Sequence, residues 1–330
     1  YRGFYMNSSI QKVIRIIPLA VIAMTLDFQV LAQLNSRSTL YAFHQSSYNP
    51  AICGASEYGN ASAVIRKQYM GFVDNAGPAT TWIDFSMPIK SINSGAGLSI
   101  AQTKEGFEKR LSAKLNYAYQ LDLRTGRLGF GLSAGLNSAQ WDMSDARYPD
   151  GSSDNFVETT IASQEKFSNL LLGFGMFYQV GSLYAGFAVT ELNEPALKFD
   201  AGKMDYLKRH YWLSMGYDYK TASPKWTLCP ALTLKTTFSE WQLNGDIRAI
   251  YNNFVITGLS YNSSHDLSLN IGVQFKDGSK LDGLKAIFSY DIVSSKIGGE
   301  SAGSVEVMVS YDFNIFMEKE NKTYKSVRFL

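Results

Sequence analysis

Apolar residues alternate with small or polar residues along 127–140. The apolar positions are Leu128, Phe130, Leu132, Ala134 and Leu136, and those between them include Gly129, Gly131, Ser133, Gly135 and Asn137. Successive side chains of a strand point to opposite faces, so this pattern gives one apolar face and one small, polar face. A sheet face in water usually carries charges, whereas this one suits a crowded, wet lumen. Since a tilted strand of about ten residues crosses a bilayer, the segment predicts one stave of a transmembrane barrel.

The same alternation recurs along the chain and defines about fourteen predicted strands. They cover 61–69, 80–87, 94–102, 110–123, 127–140, 169–180, 183–192, 209–219, 227–237, 240–251, 254–263, 266–276, 284–292 and 305–313. Charged residues on the polar faces, such as Lys114, Asp246 and Arg248, are acceptable in a lumen and costly against lipid. The sequence therefore predicts an all-β fold, an antiparallel transmembrane β-barrel of the bacterial outer membrane whose apolar face contacts lipid.

The lengths of the predicted connections test this assignment independently. When the connections are assigned alternately to the two ends of a barrel, the longest ones fall at the same end. These are 70–79, 141–168, 193–208 and 293–304, while the opposite end has 89–93, 124–126, 181–182 and 252–253. Outer-membrane barrels combine short periplasmic turns with long external loops. The asymmetry therefore predicts the orientation of the barrel in the membrane.

The N-terminal residues have the features of a secretory leader. Met6 is the predicted start, Lys12 and Arg15 precede an apolar run at 16–26, and Ala32 precedes the predicted cleavage point. That run is too short for a membrane helix and no long apolar stretch follows it, so only a closed barrel can span the membrane. The predicted divisions are a signal peptide at 1–32, an N-terminal periplasmic or plug segment at 33–60, the barrel at 61–313 and a periplasmic C-terminal tail at 314–330.

Composition agrees better with a membrane barrel than with a soluble enzyme. Charged residues make up only 18% of the chain and aromatic residues 14%, as expected where aromatic girdles meet the membrane surfaces. The net charge of +2 and the scattered basic residues give no nucleic-acid footprint. Cys53 and Cys229 leave open a disulfide or two unrelated free thiols, the second being favoured. Seven aromatic residues fit either a groove for sugar or lipid or an interfacial girdle, the girdle being favoured: Tyr117, Tyr119, Tyr178, Tyr211, Trp212, Tyr217 and Tyr219.

Residues that could carry chemistry do not form a recognisable active site in the sequence. The acids of the 141–158 region lack the spacing of an EF-hand, which favours a solvated external loop. The Ser-His-Asp sequence at 264–266 joins neighbours, and adjacent strand residues face opposite ways and rarely form a triad. The Gly-Phe-Gly segments at 129–131 and 173–175 lack the following helix and Lys-Ser/Thr pair of a phosphate loop. We therefore predict no enzyme activity, no cofactor and no metal site.

Several short motifs occur in an order typical of one family. They are Asn49-Pro50-Ala51 with Gly54, Arg66-x-Gln68, Gly77-Pro78 with Thr80, and Glu306 near the end. In these motifs the chain resembles the PorP/SprF family of outer-membrane proteins of the type IX secretion system, although Tyr69 replaces a Trp and Val305 replaces a His. The resemblance implies export or retention of surface proteins, such as adhesins or cargo with C-terminal sorting domains. It also implies other secretion components as partners, some of them periplasmic, with neither catalysis nor a cofactor.

Two other classes of function compete with this one. The runner-up is an outer-membrane channel or transporter for small or hydrophobic solutes, since a fourteen-strand barrel is wide enough if unplugged. A barrel hydrolase ranks third. For the leading function we predict that the external loops 141–168 and 193–208 bind cargo, because loops on a rigid scaffold usually carry recognition. Their aromatic side chains are the predicted anchors: Trp141, Tyr148, Phe156, Phe199 and Tyr206.

Overall fold

The computed structural model describes residues 37–71, 77–142, 164–198, 204–263, 266–276, 278, 280–294 and 301–314. The predicted signal peptide at 1–32 and the predicted tail after residue 314 lie outside the described residues. Tyr148, Phe156 and Phe199 lie outside them as well. In the part of the chain that is described, no helix is both long and apolar enough to cross a membrane.

Antiparallel strands make up most of the described structure. They are β1 (Gly59–Lys67), β2 (Ala79–Ile89), β3 (Ser94–Glu105), β4 (Glu108–Asp122), β5 (Arg127–Asp142), β6 (Gln164–Val180), β7 (Leu183–Thr190), β8 (Ala196–Lys198), β9 (Met204–Tyr206), β10 (His210–Tyr217), β11 (Tyr219–Lys220), β12 (Trp226–Thr236), β13 (Trp241–Tyr251), β14 (Val255–Asn262), β15 (Asp266–Gln274), β16 (Leu284–Val293) and β17 (Ser304–Phe313). Three short 3-10 turns accompany them, at Gln45–Ser47, Pro50–Ile52 and Lys90–Ile92. Every predicted strand is confirmed, with ends shifted by a few residues.

The strands close into one barrel. Each stave pairs with its sequence neighbour, β10 pairs with both β7 and β12, and β1 pairs with β17 to join the two chain ends of the sheet. The two-residue strand β11 continues β10 along β12, so the ring has fourteen staves. Strands β8 and β9 form a separate small hairpin in the connection between β7 and β10. The prediction of a closed antiparallel barrel is confirmed, and among the described strands closure leaves the barrel itself without an edge strand.

The two faces of the barrel follow the predicted alternation. Leu132 on β5 is 63% exposed, while its neighbour Ser133 is 8% exposed. The same contrast separates Leu115 from Asn116 on β4. Apolar side chains therefore point outward to lipid, and small or polar side chains point into the lumen.

One predicted girdle residue lies on the wrong face. Trp212 is buried in the lumen, whereas Tyr117, Tyr119 and Tyr217 are exposed on the outer face. The reason is its place in β10, where His210, Trp212 and Ser214 alternate inward and Leu213 and Met215 point outward. Trp212 packs on the aromatic side chains of the N-terminal segment instead of on lipid.

The barrel has a long-loop end and a short-turn end. The four longest connections, 68–78, 143–163, 191–209 and 294–303, all join strands at the long-loop end. The short-turn end includes the tight turns 123–126, 181–182 and 252–254. In an outer-membrane barrel the long-loop end is external and the short-turn end periplasmic, which agrees with the predicted orientation.

Residues 37–58, called here the lumen segment, lie inside the ring. The side chain of Leu40 is the centre of an apolar cluster with inward residues of β1, β2, β14, β16 and β17, namely Val64, Trp82, Ile256, Ile287 and Met308. Further along, Tyr41 and Tyr48 pack with Ala188 and Trp212. The hydrophobic core of this barrel is therefore built between the lumen segment and the wall.

Candidate functional site

The Asn49-Pro50-Ala51 sequence forms a buried 3-10 turn in the middle of the lumen segment. Asn49 caps the turn, because its Oδ1 accepts from the backbone N–H of Ala51 at 3.0 Å. Proline suits the first position of such a turn, where no backbone donor is needed. The Asn49 side chain also donates through Nδ2 to the carbonyl of Met176 on β6, at 3.1 Å. One amide thus shapes the turn and ties it to the wall.

Glycines on the wall leave the space that this turn occupies. A Cβ at Gly175 would lie 2.1 Å from Asn49 Oδ1, and one at Gly131 would lie 2.3 Å from the backbone N of Ala51. No real Cβ tolerates such distances, so only glycine fits there. The glycines with close approaches of this kind, called here the seat, are Gly95, Gly97, Gly129, Gly131, Gly175 and Gly186.

Polar wall residues satisfy the backbone of the lumen segment. Gln120 on β4 donates to the carbonyls of Ala51 and Cys53 at 2.9 and 2.8 Å. Lys114, six residues earlier on the same inward face of β4, donates to the carbonyl of Ser47 at 3.1 Å. A buried irregular segment must pair its backbone groups somewhere, and here the inward face of β4 supplies the donors.

A buried ionic cluster fastens the start of the lumen segment to the wall. Arg66 on β1 contacts Asp291 on β16 at 2.6 Å and Glu306 on β17 at 2.8 Å. The backbone N–H of Thr39 donates to Glu306 at 2.8 Å, and the Thr39 hydroxyl accepts from Arg66 and donates to Asp291. Ser38 also donates its hydroxyl to Glu306. We call these five residues the latch.

His44 adds a second polar contact next to the latch. Its Nε2 lies 2.8 Å from Ser38 Oγ, and its Nδ1 lies 3.2 Å from Ser47 Oγ. The Ser38 proton is already given to Glu306, so His44 Nε2 is the donor and Nδ1 accepts from Ser47. Burial lowers the pKa of His44 to about 3, which keeps the ring neutral as this arrangement requires.

A family model described as "Type IX secretion system membrane protein PorP/SprF" matches residues 30–311, which include the lumen segment and the whole barrel. The chain belongs to the PorP/SprF family. The resemblance predicted from the short motifs is confirmed. As a PorP/SprF barrel, the protein is an outer-membrane component of type IX secretion, and other components of that system are its partners.

Solved structures share the barrel fold at low sequence identity. A Pseudomonas aeruginosa FadL homologue covers 86% of this chain and 96% of its own length, with 13% identity and a TM-score of 0.48. A mutant of the TodX monoaromatic hydrocarbon channel covers 81% and 93%, with 10% identity and a TM-score of 0.47. The Acinetobacter baumannii outer membrane protein Omp33 covers 79% and 100%, with 5% identity and a TM-score of 0.45. A search of curated proteins finds no match.

The structure gathers the PorP/SprF motif residues at three places. Asn49, Pro50, Ala51 and Gly54 lie in or beside the seat, where Gly54 has a left-handed φ of 76° and packs on Gly95. Arg66 and Glu306 face each other across β1 and β17 in the latch, and Thr80 is the partner of Arg66 on β2. Gln68, Gly77 and Pro78 lie where the chain leaves and re-enters the barrel, with Gln68 N–H donating to Pro78 O at 2.8 Å.

The predicted cargo anchors are only partly described. Trp141 on β5 is half-buried and packs on a cluster formed by Ala139, Leu171 and Leu207. Tyr206, at the end of β9, is 55% exposed at the long-loop end. The described members therefore differ, because Trp141 contributes to packing while Tyr206 is accessible.

Sequence reasoning missed three residues of the latch. Ser38 and Thr39 belong to a polar, irregular segment whose position inside the barrel no periodicity reveals. Asp291 carried a usable signal, since it alternates with Ser289 on the inward face of β16. An acid on a lumen face requires a partner, and Arg66 was already singled out as a motif residue.

Proposed function

We propose that this PorP/SprF barrel helps to export or surface-anchor a specific cargo protein, such as an adhesin or a protein with a C-terminal sorting domain. The observation that carries the proposal is the occupied lumen. The latch lies toward the long-loop end, and the seat lies deeper, toward the short-turn end. Because the lumen segment fills the barrel, its external end offers a rigid surface. Such a surface is better suited to binding a protein than to conducting a solute.

The filled lumen also weighs against the solute channel or transporter. Two cavities, of about 120 and 210 Å³, lie toward opposite ends of the barrel. Tyr48 lines the first and Gly54 lines the second, so the seated turn lies between them. A steady solute path would require the lumen segment to leave. The proposed function contains no catalytic step and needs no cofactor.

The long-loop end is the proposed cargo surface. Besides Tyr206, it carries Phe107 in the β3–β4 turn and Phe238 in the β12–β13 turn, both exposed. Phe238 is 80% exposed and rests on Tyr211 with 4.5 Å between ring centroids. Aromatic side chains held on rigid turns are the usual anchors of protein interfaces. Other secretion components would meet the short-turn end and the tail at 314–330, and outer-membrane lipid would surround the staves.

The test is surface display of cargo in cells that produce altered barrels. One variant replaces 143–163 by a short Gly-Ser linker, and a second carries Tyr206→Ala with Phe238→Ala. The matched control shortens the β15–β16 connection, 277–282, at the opposite end. Heat-modifiable migration on gels checks that each barrel folds. We expect both long-loop variants to lose displayed cargo while the control keeps it; normal display in both variants would refute the cargo surface.

A further inference from the structure

The cavity of about 120 Å³ reaches from the lumen segment to the long-loop end. Ser47 and Tyr48 line its inner part, and Glu105 and Arg110, on either side of the β3–β4 turn, line its outer part. The cavity thus connects the buried middle of the barrel with the end proposed to meet cargo. Its size suits the end of a single side chain or a small solute.

Asp84 on β2 lines this cavity without a hydrogen-bond partner among the described residues. Its side chain is 2% exposed, and neither carboxylate oxygen accepts a hydrogen bond from a described donor within 3.5 Å. The hydroxyl that faces it across β2 and β3 belongs to Ser99, which donates to the carbonyl of Ser46 at 3.3 Å. The nearby Lys114 donates to the carbonyl of Ser47. A buried carboxylate left without donors is costly, so this one calls for a ligand.

A second buried polar group in the same cavity also lacks a partner. Asn137 on β5 is almost fully buried, and neither its amide nitrogen nor its amide oxygen is hydrogen-bonded within the described structure. The oxygen is an acceptor, like the carboxylate of Asp84. Asp84 and Asn137 together leave three acceptor oxygens and one donor nitrogen unpaired in the described part of the chain, and this excess of acceptors favours a ligand that carries several N–H groups.

The cavity is lined by four carboxylates and three cations, so with His210 neutral the acids exceed the bases by one: Asp84, Glu105, Glu108 and Glu191 against Arg110, Lys114 and Lys235. Arg110 forms an ion pair with Glu108 at 2.5 Å, and His210 lies 3.2 Å from Glu191. Glu105, half-buried at the outer rim, has no ion pair within 4.0 Å among the described residues. Asp84 inside and Glu105 at the rim are thus the two lining carboxylates without an ion pair among the described residues, while the ammonium of Lys235 lies 5.0 Å from the centre of the Trp212 ring in the same cavity. Aromatic side chains of the wall, including Trp82, would favour a cation further.

We propose that this cavity binds a guanidinium or primary ammonium group, with Asp84 as its carboxylate partner and Asn137 as an additional acceptor. A planar guanidinium offers five N–H donors and pairs well with a carboxylate. The source we favour is a basic side chain of a polypeptide that enters from the long-loop end. That choice of source rests on the proposed function, while the binding chemistry does not. A free small amine would use the same contacts.

The experiment uses the purified full-length barrel in detergent and isothermal titration calorimetry. The probes are agmatine, a Gly-Ser peptide with one central arginine, and the same peptide with citrulline, which is isosteric and neutral. We expect saturable binding of both arginine-like probes, weakening at high salt, and none of the citrulline peptide. Tighter binding of the arginine peptide than of agmatine identifies a polypeptide source, whereas the reverse identifies a free amine. The proposal is overturned if neither agmatine nor the arginine peptide binds. It is also overturned if the citrulline peptide binds as tightly as the arginine peptide.

Variants connect the binding to Asp84. Asp84→Asn keeps the shape and removes the charge, and it should weaken arginine binding about tenfold or more. Glu57→Gln removes one exposed carboxylate at the opposite end of the barrel and should leave binding unchanged. If Asp84→Asn does not fold, Glu105→Gln at the half-buried rim is the second variant. We expect it to fold and to bind the arginine peptide more weakly than the parent protein does. Unchanged affinity in the carboxylate variant that folds overturns the proposal. Since these titrations need no cargo, a failed display experiment leaves their result intact.

Discussion

At the residue scale, Arg66 is the side chain on which the latch depends. Its guanidinium is shared by two buried carboxylates, and it also donates to Thr39. Replacing it by alanine leaves Asp291 and Glu306 buried without the cation that both contact. Breaking a buried ion pair by removing one partner typically costs about 3–5 kcal/mol, so we expect Arg66→Ala to lower the free energy of unfolding by that amount. Urea titration of the barrel in lipid measures the change.

An exposed ion pair on the same barrel is the control for this prediction. Arg127 contacts Asp122 at 2.8 Å, but their side chains are 38% and 61% exposed. Such pairs contribute about 0–1 kcal/mol, so Arg127→Ala should have little effect on unfolding. Equal losses in Arg66→Ala and Arg127→Ala would show that burial of the latch does not determine its contribution.

Also at the residue scale, the depth of a lipid-facing residue in the membrane determines how much a charged substitution destabilises the barrel. Leu132 lies on the outer face in the middle of β5, whereas Leu123 follows the end of β4 at the short-turn end. An arginine facing lipid costs about 2–4 kcal/mol near the bilayer midplane and about 0–1 kcal/mol near its surface. Leu132→Arg should therefore destabilise the barrel strongly and Leu123→Arg only slightly. Unfolding titrations in the same lipid compare them, and a reversed order would place the membrane at a different height.

At the element scale, the glycines of the seat, on four strands, together form the surface that contacts the Pro50–Ile52 turn and the residues beside it. A valine at Gly131 would drive a side chain into the backbone of Ala51, so we expect Gly131→Val to displace the lumen segment. Cys53 reports the displacement. Its thiol is buried, and burial raises its pKa to about 12, so it should resist maleimide in the parent protein and react in the variant.

The labelling needs a background with one thiol and a control glycine. Cys229 is also a free, buried thiol, and Cys229→Ala removes it from the measurement. Gly106 has a φ of 55° with open space around it, and asparagine tolerates that backbone, so Gly106→Asn should leave Cys53 protected. Rapid labelling in Gly106→Asn or protection in Gly131→Val would each contradict the role of the seat.

For the strands, the sequence predicts the face on which each side chain lies, but not what that face contacts. A period of two assigns side chains to the faces of a strand, so Leu132 and Ser133 were placed correctly and all fourteen strands were found. The period does not say what a lumen face contacts. It places Gly131 on the lumen face, and only the structure shows that Ala51 fills the space beside it. Trp212 was misplaced for a related reason, since an aromatic ring suits both a girdle and a packed lumen.

At the scale of the whole molecule, the lumen segment determines whether the barrel can conduct. Fourteen staves enclose a lumen wide enough for a solute path, but residues 37–58 pass through it from the latch to the seat. The core cluster around Leu40 and the hydrogen bonds of Gln120 must all break before this segment leaves. We therefore expect the intact protein to show little or no steady conductance in planar bilayers.

Removal of the segment should open the barrel. Deleting 37–56 keeps β1 and the pairing of β1 with β17, so the ring can still close. Its inward face would then be polar on most staves, and water can enter a polar lumen. We expect this deletion variant to give steady, ohmic conductance, whereas Arg66→Ala, which loosens the latch but leaves the seat, should give at most brief openings. Steady conductance of the intact protein would show that the lumen segment does not block the barrel. A closed deletion variant with heat-modifiable migration would show that inward side chains of the wall close the lumen by themselves.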